Sequence, residues 1–155
     1  MENKRLIQSI IEESIRVKTL CASQCLEKIV AAGELVADTV SLGGKILCCG
    51  NGGSAADAQH FSAELLNRFE KERKELAALS LTTDTSTITS IANDYSFDSI
   101  FEKQIRALGK KEDVLLAMTT SGNSKNITRA IEAAQERQMM IILLSGKNGG
   151  EAALK

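Results

Sequence analysis

The chain has 155 residues, 43% apolar and 25% charged, with a formal net charge of −1. That describes one soluble globular domain long enough to bury a core, and the charge gives no drive toward nucleic acid or an anionic membrane. Aromatic residues make up only 3%, which argues against base-stacking platforms, and no apolar run approaches a membrane span.

Residues 3–42 read as helical, and the absence of proline suits long uninterrupted helices. Leu6, Ile7, Ile10, Ile11, Ile15 and Val17 form one apolar stripe, and Leu26, Ile29, Val30, Val36 and Val40 a second. Both helices could pack on a sheet. The preferred reading puts the first, which stands outside the later strand–helix alternation, against a partner subunit. The opening Met-Glu-Asn-Lys-Arg-Leu-Ile scatters charges among its apolar residues and is no signal peptide, so a cytoplasmic location is expected. Cys21 and Cys25 lie one helical turn apart, and Cys48 and Cys49 are adjacent. Neither pair has zinc-finger or redox spacing, so all four are expected to be reduced and mostly buried.

Lys45 to Phe69 organises the rest. Ile46–Cys49 is a short apolar run between glycines, the pattern of a strand buried on both faces. Gly50-Asn-Gly-Gly53 makes a turn with little side-chain bulk, and Ser54 is a good N-cap for a following helix. Backbone N–H groups bared at such a helix start favour an anion. His60, the only histidine, and Glu64 share one face of that helix, with Asp57 a turn earlier on nearly the same side.

Glu70-Lys-Glu-Arg-Lys-Glu75 reads as a solvated charged turn and 76–81 as a second strand. Asp84 can cap a helix ending near Ala92-Asn-Asp-Tyr95, and 100–108 forms another helix stopped at Gly109. Residues 114–118 are a third buried strand, followed by Thr119-Thr-Ser-Gly-Asn-Ser124 and a helix carrying Ile127, Ala130, Ile131 and Ala134. Residues 139–144 are a fourth strand, and the last residues begin a helical turn. This alternation predicts an α/β fold, a doubly wound, flavodoxin-like parallel sheet covered by helices on both faces, with an N-terminal helical extension at 1–42 and the α/β core at 43–155.

In the common 2-1-3-4 strand order the loops after the first and third strands meet at the ligand-binding edge. Here those loops are Gly50–Ser54 and Thr119–Ser124, both small and hydroxylated, which suits a phosphate and sugar hydroxyls. Such residues are also what turns and caps ordinarily use. His60 and Glu64 alone do not make a metal site, because catalytic zinc takes three protein ligands. By spacing, Glu64 could instead pair with Arg68.

Three motifs, Cys49-Gly-Asn-Gly-Gly-Ser-Ala-Ala-Asp-Ala-Gln-His-Phe-Ser-Ala-Glu64, Ala92-Asn-Asp94 and Thr119-Thr-Ser-Gly-Asn-Ser124, occur in order across the chain. Together they closely resemble the phosphoheptose isomerases of the sugar-isomerase (SIS) domain group. The resemblance implies a cytoplasmic homotetramer that converts sedoheptulose 7-phosphate to D-glycero-D-manno-heptose 7-phosphate for lipopolysaccharide heptose synthesis. It implies substrate contacts from Asn51, Gly52, Gly53, Ser54, Asn93 and Asp94, with Thr119, Thr120, Ser121 and Ser124 holding the phosphate and nearby hydroxyls. It also implies zinc on His60 and Glu64, with Glu64 a substrate contact and the acid/base. In the family a further strand and long helix supply a Gln and a His to the metal and the proton transfer, and neither is in this chain. A fragment of a longer protein is the favoured explanation. The alternative function is a non-catalytic SIS protein, such as a replication-initiator-associating factor or a sugar-phosphate sensor. Glu64 and the intact Gly52-Gly53 favour the enzyme.

Overall fold

The computed structural model describes residues 2–155, which form two compact units, the first ending at Leu35 and the second running over Val36–Lys155. The first holds α1 (Glu2–Gln24) and the start of α2 (Leu26–Ser41), separated at Cys25. None of the α1 residues is buried, and Leu6, Ile7, Ile10, Ile11 and Ile15 are each more than half exposed. Cys21 is likewise exposed and Cys25 half-buried. The expected burial of that pair does not occur, because the face carrying it has no cover.

The second unit contains β1 (Ile46–Cys49), α3 (Gly53–Leu66), β2 (Ala78–Ser80), α4 (Thr85–Asp94), α5 (Ile100–Leu108), β3 (Val114–Thr119), α6 (Lys125–Glu136) and β4 (Met140–Ser145). The four strands are parallel in the order β2-β1-β3-β4, as the doubly wound reading requires. Leu47, Cys49, Leu115 and Ala117 join Phe101, Ile105, Ile127 and Ile131 in one buried cluster under α5 and α6, while α3 packs against β1 and β2. The buried Cys48 and Cys49 are held inert, because burial pushes the Cys48 thiol up to about 12 and that of Cys49 higher still. At the N-terminal ends of the strands, the buried Asp113 accepts from the Lys45 and Lys110 backbone N–H groups, each at 2.9 Å, and pairs with the Lys45 ammonium. That end is scaffold.

Several expectations are corrected. The strand predicted at 76–81 shrinks to Ala78–Ser80. Helical cover is incomplete at β4, where Ile141 and Leu143 pack on the core but Met140 and Leu144 remain more than half exposed. The charged turn is not wholly solvated, because the Arg73 guanidinium folds back to donate to the Glu64 and Leu65 carbonyls at 2.6 and 2.9 Å. It thereby satisfies the carbonyls that α3 leaves open at its C-terminus.

Candidate active site

Register brings the catalytic-end loops together. Cys49 of β1 lies beside Ala117 of β3, and Thr119 of β3 beside Ser145 of β4. The loops after all three strands therefore open at one edge, the position where doubly wound sheets bind ligands.

The first loop turns at Gly52, whose φ of 55° is a left-handed conformation suited to glycine. The Gly52 carbonyl accepts from the Ala55 and Ala56 N–H groups, so α3 starts two residues earlier than expected. Ser54 is therefore not the N-cap. It sits in the first turn, and no side chain caps α3. The second loop turns at Gly122 (φ 70°) and packs against Gly149 and Gly150 of the loop after β4, where a side chain would collide with backbone. The buried Thr119 hydroxyl accepts from the Gly122 N–H at 3.2 Å, and that of Ser121 from the Asn123 N–H at 3.1 Å. Ser124 is the N-cap residue of α6, yet its hydroxyl makes no capping bond.

Two recesses lie between these loops. One of about 40 Å³ is lined by Asn51, Ser54, Met118, Thr119, Thr120 and Ser124. Its neighbour, about 230 Å³, adds Asp57, Leu144, Ser145 and Gly146 to Ser54, Met118, Thr119 and Thr120. Asp57 also lines a third cavity of about 450 Å³, formed with His60, Phe61, Glu64, Leu65, Phe69 and Arg73. One face of α3 thus runs from the hydroxylated recesses to the imidazole–carboxylate pair. His60 Nε2 lies 3.0 Å from Glu64 Oε1, with side chains 75% and 34% exposed. Glu64 does not pair with Arg68, because α3 ends at Leu66 and Arg68 meets Glu72 instead, at 3.4 Å.

The SIS domain family model matches residues 11–146. A phosphoheptose isomerase from Alkalilimnicola ehrlichii is 57% identical over 149 residues, covering 96% of this chain and 76% of the relative. One from Neisseria meningitidis is 57% identical over 141 residues, covering 91% and 72%. The chain belongs to the phosphoheptose isomerase family of SIS-domain proteins. The solved phosphoheptose isomerase from Francisella tularensis superposes with a TM-score of 0.95 at 44% identity, covering 99% of this chain and 81% of that one. The Neisseria gonorrhoeae structure gives 0.91 at 49% identity, covering 97% and 79%.

Of the residues that resemblance to the phosphoheptose isomerases singles out, Asn51, Ser54, Thr119, Thr120 and Ser124 converge on the smallest recess. His60 and Glu64 share the cavity of about 450 Å³. Gly52 and Gly53 are exposed beside the first loop, and Ser121 is half-buried in the second. Asn93 and Asp94 are not brought in. They sit exposed at the end of α4, the Asn93 amide donating to the Asp94 carboxylate at 2.9 Å, and they line none of the three cavities. Sequence reasoning missed Asn126, which bonds to Asn51, and Arg73 at the end of α3. Asn126 leaves a legible trace, a polar residue four before Ala130 on the apolar face of α6.

The imidazole nitrogen and carboxylate oxygen are donors of the type zinc takes, but they are two where a catalytic site uses three. Among the described residues no group of three or more His, Cys, Asp or Glu side chains could hold a metal ion. No helix among those residues is long and apolar enough to cross a membrane.

Proposed function

We propose that the chain is an aldose–ketose isomerase acting on sedoheptulose 7-phosphate, giving D-glycero-D-manno-heptose 7-phosphate for lipopolysaccharide heptose synthesis in the cytoplasm. The observation that carries this is the α3 face, which begins in a hydroxyl-lined recess beside two uncapped helix starts and ends at Glu64. The phosphate would sit against Thr119, Thr120, Ser121 and Ser124, held by hydroxyls and backbone N–H groups, since no Lys or Arg occurs in that loop. Asn51, Gly52, Gly53 and Ser54 would line the sugar from the opposite loop.

Isomerisation moves one proton between adjacent carbons. Glu64 would take a proton from C1 of the ketose while the C2 oxygen gains one, giving an enediol. Return of the proton to C2 and loss of the O1 proton give the aldose. His60 and Glu64 are proposed to hold zinc, with the remaining ligands from the further strand and helix implied by the family resemblance. When bound, such an ion stabilises negative charge on the substrate oxygens. The relatives' shared enzymatic name supports this reading over a non-catalytic SIS protein.

Glu64→Gln in the full-length protein tests it. The variant should fold and bind sugar phosphate while turnover falls by about 10²–10⁴-fold. Activity that returns with added zinc would make Glu64 a ligand only, and full activity at normal metal content would remove it from the mechanism.

A homotetramer is also proposed, with α1 in the interface, supported by its bare apolar stripe. Deleting residues 1–20 should then change the mass seen by sedimentation. An unchanged assembly of equal solubility would count against that role.

A further inference from the structure

Asn51 and Asn126 are 75 residues apart, yet their carboxamides face each other across the cleft. Asn51 Nδ2 donates to Asn126 Oδ1 at 2.9 Å, and Asn126 Nδ2 donates to Asn51 Oδ1 at 2.8 Å. Asn126 is only 2% exposed while Asn51 is half-buried, so the Asn126 amide in particular would be costly to leave unpaired.

We infer that Asn126 is a positioning residue, and that the Asn51–Asn126 amide pair clamps the first and third strand loops at the spacing a phosphate ester needs. The inference rests on the functional reading above. Two short paths lead from the clamp to the recess. The Asn51 carbonyl accepts from the Ser54 N–H at 3.0 Å, so fixing the Asn51 side chain fixes the first turn of α3. Asn126 follows Ser124 by two residues in the first turn of α6. Ser54 and Ser124, on opposite walls of the smallest recess, are thus tied through one pair of side chains. The first loop is glycine-rich and turns through a positive φ, so little else in its composition restricts it.

The clamp touches no reacting carbon, so its loss should weaken phosphate holding more than it slows chemistry. In Asn126→Ala, KM for sedoheptulose 7-phosphate should rise about tenfold with kcat changed less than about threefold, the scale of one or two hydrogen bonds. Inorganic phosphate, titrated as a probe that needs no turnover, should bind more weakly to a similar degree. A folded variant with lowered Tm but unaltered KM and phosphate affinity would reduce the pair to a purely structural contact. Solvent exchange of the Asn51 side-chain amide protons in the unmodified protein gives a second measure that does not depend on the variant folding. Slow exchange supports the clamp, and exchange as fast as that of an exposed asparagine overturns it. If the unmodified protein does not isomerise the heptose phosphate, the functional reading falls, and phosphate titration and amide exchange still judge the clamp.

Discussion

The start of α4 and the start of α6 are built from similar residues and finished differently. At α4, Asp84 accepts from the Thr87 backbone N–H at 3.0 Å and from the Thr87 hydroxyl at 2.6 Å. That is a full side-chain cap with negative charge at the positive end of the helix. At α6 the N-cap residue is Ser124, whose hydroxyl caps nothing, and α3 begins at Gly52 with no side chain to offer. The capped helix serves the scaffold. Neither α3 nor α6 has a side-chain cap, and both starts contribute to the recess proposed for the phosphate, through Asn51 and Ser54 from one and Ser124 from the other, where a bound anion would be favoured.

That difference can be erased by design. Ser124→Asp gives α6 the start that α4 has. The carboxylate should satisfy the helix and hold or raise Tm, while competing with phosphate for the same N–H groups and repelling it. KM for the sugar phosphate should rise roughly a hundredfold, comparable to losing a charge-assisted hydrogen bond. Ser124→Ala is the milder probe. With no capping bond to lose, Tm should stay within about 1 °C of the parent, and KM should rise several-fold as one hydroxyl contact disappears. If Tm falls clearly and KM does not move, Ser124 is an ordinary cap in solution and the phosphate lies elsewhere.

Much of this fold was legible because its signals are local. Gly43-Gly44 and Gly50 bracket Ile46–Cys49, and β1 has those limits. Gly109 ends α5 at Leu108. The 2-1-3-4 order, taken as the common one for a doubly wound sheet, correctly brought the loops at Gly50 and Thr119 together. Legibility failed where the deciding partner is remote. Ser54 and Ser124 are both good caps by residue type, and only the Gly52 conformation and the Ser124 hydroxyl, 3.5 Å from that of Thr119 and not on a helix N–H, show that neither side chain caps a helix. The Asn51–Asn126 pair depends on sheet register, which no short window contains. Arg73 looks like one more surface charge until α3 ends beneath it. Cys21 has the residue type of a buried position and the surroundings of an exposed one, since no described residue of α1 is buried.

The scaffold side of the comparison predicts a smaller effect, read through pH. The Asp84 carboxyl is held below its ordinary value, first by the Thr87 hydroxyl and then by the Thr87 backbone N–H. A carboxyl whose folded pKa is depressed contributes stability that is complete above its unfolded value, about 3.9, and is lost as pH falls through the folded value. Asp84→Asn keeps a capping oxygen without the charge and lacks that pH-linked part. At pH 7 the parent protein should melt at a higher temperature than the variant, and the gap should narrow as pH falls from about 4.5 toward 3. The group is fully exposed, so added salt should narrow the gap at pH 7 as well. A gap that stayed constant from pH 7 to 3 would mean that charge contributes nothing at this helix start. The contrast with α6 would then rest on hydrogen bonding alone, and the large KM rise expected of Ser124→Asp would have to come from blocked N–H groups rather than from repulsion.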